Sequence, residues 1–169
     1  MVSDKLISTL DKYESAMLSA YPLNRGRSVP AVGRYPEDVY DGVGVSIANP
    51  WFIACSAVSE LLFRAADALA TMDPWAVITP RSRAFYERVT GGPLNGSRSA
   101  VRQTLTTSLR RRGDDYVGLI REFAMRNGSL HEQFDRTSGR GRGARDLSWS
   151  YAAFITQTQA RRSLAHQQF

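Results

Sequence analysis

Glu132 is the lone glutamate of a polar stretch, Ser129-Leu-His-Glu-Gln-Phe-Asp135, that follows a long helical pattern. A second stretch, Val32-Gly-Arg-Tyr-Pro-Glu-Asp-Val-Tyr40 running on to Asn49-Pro-Trp-Phe52, groups Arg34, Asp38, Tyr40 and Trp51 where Gly and Pro exclude a single regular element. A third, Ala144-Arg-Asp-Leu-Ser-Trp-Ser-Tyr151, sets Trp149 at the opening of the last helix. Carboxylates move protons and order water, a guanidinium donates to hydroxyls, and indole faces stack on the apolar faces of a pyranose. Together these types predict a carbohydrate site, and an incomplete one. Taken singly they say less. Glu132 alone reads as an ordinary loop glutamate, Trp51 and Trp149 can be core aromatics, and Arg34 can pair with Asp38 while also meeting a ligand. His131 is expected to be a solvated loop histidine, and His166 carries no signal.

The elements that must hold these residues are helical. Leu6, Ile7, Leu10, Tyr13, Met17 and Leu18 predict a helix over residues 3–20, capped by Ser3 and ended before Pro22. Residues 22–48 show no sustained period and form a long loop, a class that is usually functional in compact domains. A helix over 50–72 is apolar on most sides, with Pro50 in its first turn. A short helix is expected over 82–89. A longer one, about 97–126, carries the stripe Val101, Leu105, Leu109, Tyr116, Leu119, Ile120 and Phe123, with a kink at Gly113 and a stop at Asn127-Gly128. The last helix, about 146–162, opens on Asp146 and is again apolar nearly all round. No alternation is long enough to name a strand, so the class is all-α. If 82–89 is an extra turn rather than a stave, helices 50–72 and 146–162 start at the same end. Loops 30–49 and 128–145 then converge there.

The chain of 169 residues fits one domain with a sizeable core. Its most apolar run, Phe52 to Leu69, is broken by Glu60, Arg64 and Asp67, so no membrane span is expected. The first 25 residues show no secretory h-region. The formal charge of +6 raises nucleic-acid binding, with Arg110-Arg111-Arg112 and Arg140, Arg142, Arg145 as the places to look. Both clusters adjoin acids and no nucleic-acid motif surrounds them, so solvated helix-end and loop charge is the expectation. Cys55, the single cysteine, reads as a buried free thiol. Asn95-Gly-Ser and Asn127-Gly-Ser fit the N-glycosylation acceptor pattern.

Read together, the words Val32–Tyr40, Asn49–Phe52, Glu132–Asp135 and Ala144–Ala153 resemble fungal glucoamylases, glycoside hydrolase family 15, in order and near spacing. The likeness covers almost the whole chain. It implies part of an (α/α)6 toroid, about five helices of it, that releases glucose from non-reducing ends of α-1,4-glucans with inversion and without a cofactor or metal. By the resemblance Glu132 is the general base, and Arg34 hydrogen-bonds sugar hydroxyls near the scissile bond. Asp38, Tyr40 and Trp51 support that arginine and wall adjacent subsites, Gln133 follows the base, and Trp149 lies at the pocket floor. The stretch Asp41–Ala48 resembles the longer of the family's loop forms. A family catalytic domain is more than twice this length and carries its general acid upstream of the matching words, together with an arginine–aspartate pair that grips the terminal glucose. The chain is therefore expected to be the C-terminal portion, with no starch-binding domain after Phe169. Weak sugar binding, almost no hydrolysis and self-association through exposed toroid edges follow from that expectation. The parent family implies secretion. A non-catalytic carbohydrate-binding or regulatory copy of the domain is the competing reading, and a basic RNA-binding module a distant third.

Overall fold

The computed structural model describes residues 2–163, which leaves His166 outside the described residues. Five α-helices appear among these: α1 (Asp4–Ala20), α2 (Phe52–Thr71), α3 (Arg83–Thr90), α4 (Arg98–Phe123) and α5 (Ser148–Ser163). Ser3 caps α1 as expected, its side chain accepting from the Leu6 N–H. Pro50, however, stands outside α2. Trp51 occupies the cap position, and the Pro50 carbonyl instead accepts from the Phe134 N–H at 3.1 Å.

Helix α2 is the central stave, packed on both α4 and α5. It buries Phe52, Cys55, Val58, Leu62, Phe63, Ala65, Ala66 and Leu69, a spread too wide for one surface stripe. Helix α4 runs antiparallel to it. Arg102 Nε donates to the Met72 carbonyl at 3.0 Å at one end, and Phe123 stacks on Phe134 at the other, with ring centroids 4.7 Å apart. Helix α5 runs parallel to α2, since Ser150 Oγ reaches the His131 carbonyl near its start and Thr156 Oγ1 reaches Glu60 farther along. Helix α1 is antiparallel to α2: Asp4 meets Thr79, and Tyr21, just past its end, meets the Asn49 carbonyl. Helix α3 packs on α1 and α4 as a short inserted turn. Hence α2 and α5 do begin at the same end.

Several local expectations are corrected. Gly113 does not kink α4, which passes through it unbroken. Its lack of a side chain is a packing need, because a Cβ there would lie 2.8 Å from the Phe63 ring. Helix α4 ends at Phe123, ahead of Asn127-Gly128, which form a separate turn with Gly128 at φ +83°. Helix α5 starts at Ser148, and Asp146 is no cap: its carboxylate accepts from the Tyr151 hydroxyl at 2.6 Å. Nor is α5 buried all round, for only Ser150, Gln157 and Ala160 are buried while Trp149 and Ile155 are exposed. A minimal antiparallel ladder exists, β1 (Gln133–Phe134) with β2 (Gly141–Arg142). Arg112 is not solvated helix charge but a buried partner of Glu14. Cys55 is the expected buried thiol, pushed up to about 12 by burial.

Candidate active site

The long loop between α1 and α2 is held down residue by residue. Asn24, fully buried, donates to the Met17 and Ala31 carbonyls and accepts from the Ala31 N–H. The Tyr13 hydroxyl donates to the Gly33 carbonyl. A Cβ at Gly33 would collide with the Tyr21 hydroxyl, so only glycine lets the chain pass there. Thus fixed, the loop delivers Arg34 to the end where α2 and α5 start.

Arg34 makes two hydrogen bonds to Asp38, Nε to Oδ2 at 2.7 Å and Nη2 to Oδ1 at 2.6 Å. That fork holds the Asp38 carboxyl below the usual carboxylate range, helped by the Tyr40 N–H at 3.0 Å. Its guanidinium carbon lies 5.2 Å from the Tyr40 ring centre and 5.1 Å from that of Trp51, over both faces. The Tyr40 hydroxyl donates to Glu132 Oε2 at 3.3 Å. Burial, and next the charge of Glu132, push the Tyr40 phenol upward. The Ala144 N–H also donates to Oε2, at 3.2 Å, and the Glu132 N–H donates to the Ala144 carbonyl at 2.9 Å. Among the described residues no protein group donates to Oε1. One carboxylate oxygen is tethered and the other is open.

Arg34, Asp38, Tyr40, Trp51, Glu132 and Gln133 therefore form one cluster, but not all of them offer surface. Asp38 and Gln133 are buried, and the Gln133 amide faces Asn49 Nδ2 at 3.0 Å. A substrate contact through Gln133 is not available in this geometry, where it fastens the two loops together. Trp51 is only 6% exposed and lies under Arg34, so it is a floor for the arginine more than a wall for a ligand. Trp149 is 64% exposed on the first turn of α5, at the same end of the array. Arg34, Tyr40 and Glu132 are the accessible polar members. His131 is not a solvated histidine: it is 8% exposed, with Gly141 against its ring.

Three neighbouring aspartates, Asp38, Asp41 and Asp135, are held as carboxylates. Asp41 is held down to about 2 by the Ser46 hydroxyl and the Gly44 and Val43 N–H groups. Asp135 is lowered chiefly by the Ser138 N–H. With Asp38 paired to Arg34, none of the three is a candidate proton donor.

Sequence reasoning missed two glycines that seat Glu132. Gly42 and Gly143 have φ of +95° and +71°, and the two loops cross between them: a Cβ on Gly42 would lie 2.8 Å from Gly143 N. A Cβ on Gly143 would lie 2.2 Å from Glu132 Oε2. A Gly in each functional loop was the available signal. Gly143→Ala is expected to cost about 1–2 kcal/mol for the left-handed backbone plus a steric part from the Glu132 side chain. In a Glu132→Ala background most of that steric part disappears, so the double-mutant cycle should show about 0.5–3 kcal/mol of coupling. Urea midpoints of the four proteins measure it, and strictly additive costs would mean that Gly143 does not seat Glu132.

The family profile of the glycosyl hydrolases family 15 matches residues 2–159. The probable glucoamylase of Schizosaccharomyces pombe is 37% identical over 163 residues, covering 94% of this chain and 34% of its own length. Glucoamylase 1 of Rhizopus oryzae is 32% identical over 173 residues, with 94% of this chain and 27% of the relative covered. Among solved structures, the family 15 glucoamylase of Hypocrea jecorina superposes with a TM-score of 0.79 at 32% identity, over 96% of this chain and 27% of that one. Such a helical array, opening its loops at one end, is the architecture of part of an (α/α)6 barrel. The chain belongs to glycosyl hydrolases family 15, a family of glycosidases. It spans about a third or less of the curated relatives it matches.

Proposed function

We propose that this chain supplies the water-activating half of an inverting α-glucan hydrolase site, with Glu132 as general base and Arg34 donating to sugar hydroxyls. The observation that carries the reading is the half-tethered carboxylate: Tyr40 and Ala144 fix Oε2 while Oε1 stays free for a water. An inverting enzyme needs a second carboxyl about 6.5–9.5 Å away that is still protonated. Asp38, Asp41 and Asp135 are each stabilised as anions, and by resemblance to the family we assign the acid to a part of the barrel other than these loops. Trp149 is then the exposed ring that closes the pocket when further staves stand beside α5. The same exposed face of α5 is where a second copy would pack if the chain meets itself. α-1,4-Glucans are the substrate class by kinship with the named glucoamylases. Asn95 and Asn127 are both exposed, which supports them as glycan acceptors and, with them, a secretory route. No helix is long and apolar enough to cross a membrane among the described residues.

Maltotriose binding tests the site in this chain without requiring turnover. In amide ¹H–¹⁵N spectra, maltotriose is expected to shift Arg34, Tyr40 and the 132–144 loop saturably at millimolar concentration. Arg34→Gln should abolish those shifts. Shifts that are absent, or that survive Arg34→Gln unchanged, would remove the sugar-site reading.

A further inference from the structure

Glu132 and His131 are successive residues whose side chains have different surroundings: Glu132 accepts from Tyr40 and Ala144, and the His131 ring packs on Gly141. Glu132 faces the Arg34–Tyr40 cluster. His131 lines a separate cleft of about 570 Å³, bordered by Ser129, Arg140, Gly141, Arg145 and Asp146 among others. Two features of this cleft have no use in the site already described. The first is the imidazole itself, which is 8% exposed and whose Nδ1 is buried without a partner. The second is charge. Among the described residues neither Arg140 nor Arg145 takes part in an ion pair, and, unlike other unpaired arginines such as Arg25, Arg81 and Arg121, both line one cleft. The lone acid of the cleft, Asp146, is engaged by the Tyr151 hydroxyl at 2.6 Å. Donors therefore exceed acceptors, and two unpaired guanidiniums border one concave space.

A guanidinium has five donors and no acceptor, and its fork matches the oxygens of a phosphate. Neutral sugars would leave both cations unanswered, and a single chloride would use one donor direction of each. We propose that this cleft is a phosphate-binding site, in which Arg140 and Arg145 grip a phosphate group, free or as the head of a phosphomonoester. The cleft's volume leaves room for the organic part of a monoester beside His131. This site is independent of the catalytic reading, since it uses none of the groups assigned there.

The experiment is a titration of the ¹⁵N-labelled 169-residue chain with sodium phosphate, against sodium chloride at equal ionic strength. Phosphate is expected to give saturable shifts at the amides of His131 and of residues 140–146, and chloride is expected not to. Arg140→Gln, an exposed position whose loss spares the core, should raise the apparent Kd at least fivefold, while Arg81→Gln, exposed at the opposite end beside the start of α1, leaves it unchanged. Glucose 6-phosphate is the second arm: tighter binding than inorganic phosphate identifies a monoester site, and weaker binding a free-anion site. Equal shifts with chloride, an Arg140→Gln protein that binds as before, or shifts centred on Arg110–Arg112 would each overturn the proposal.

Discussion

Glu132→Gln is expected to lower glucan turnover by about two orders of magnitude or more, with little change in substrate affinity, in a protein carrying the complete barrel. The amide oxygen of glutamine can still accept from the Tyr40 hydroxyl and the Ala144 N–H, so the side chain keeps its place. What disappears is the basic Oε1, the atom left open toward a water. A base acts on the attacking water in the transition state and contributes little to holding the ground-state sugar, so kcat falls while KM stays. Steady-state kinetics on maltotriose, with the anomer of the released glucose followed by NMR, measures this. Under the inverting mechanism proposed above, the product of the unmodified protein should be the β-anomer. Turnover within a fewfold of normal in Glu132→Gln would make Glu132 a structural residue.

How far the sequence revealed this site depended on whether the signal was local. Helical periodicity located α1, α2 and α4 closely, because each carries its own apolar spacing, and the words around Arg34 and Glu132 pointed to loops that do meet. The misplacements arose where tertiary contacts overrule composition. Trp149, Tyr151, Phe154 and Ile155 look like a core face, yet burial depends on which neighbours stand beside α5, and one side of it faces solvent. His131 sits in a polar stretch that suggests exposure, but Gly141 of the facing strand packs on its ring. Gln133 follows Glu132 in sequence, but it is buried and its amide oxygen accepts from Asn49 Nδ2. The Gly42–Gly143 crossing joins residues about a hundred positions apart, and no periodicity reports such a contact. The same holds for Arg112, which the run Arg110-Arg111-Arg112 disguises as surface charge.

That arginine leads to the largest expected loss of stability. Glu14→Ala should cost the fold about 3–5 kcal/mol, because removing one member of a buried ion pair strands the other. The Glu14 carboxylate is 2% exposed and accepts from Arg112 Nη2 at 2.8 Å, Arg112 Nε at 3.1 Å and the Tyr116 hydroxyl at 2.8 Å. Burial, with the charge of Glu14 next, pushes the Tyr116 phenol well up, so it stays a neutral donor to that carboxylate. Against a typical total stability of about 5–15 kcal/mol such a loss is a large fraction. The Arg27–Glu122 pair has comparable geometry but its carboxylate is half exposed, so Glu122→Ala should cost about 1 kcal/mol or less. The two pairs together separate burial from geometry as the cause. The damage should also reach the active end, because Arg112 Nη1 donates to the Ser28 carbonyl at 3.2 Å and so fastens the loop that carries Arg34. Urea midpoints at constant slope give the stability change, and hydrogen exchange reports whether the amides of residues 28–34 lose protection with it. If Glu14→Ala melts within 1 kcal/mol of the unmodified chain, the pair is solvated in solution and the loop must be held by Asn24 and Tyr13 instead.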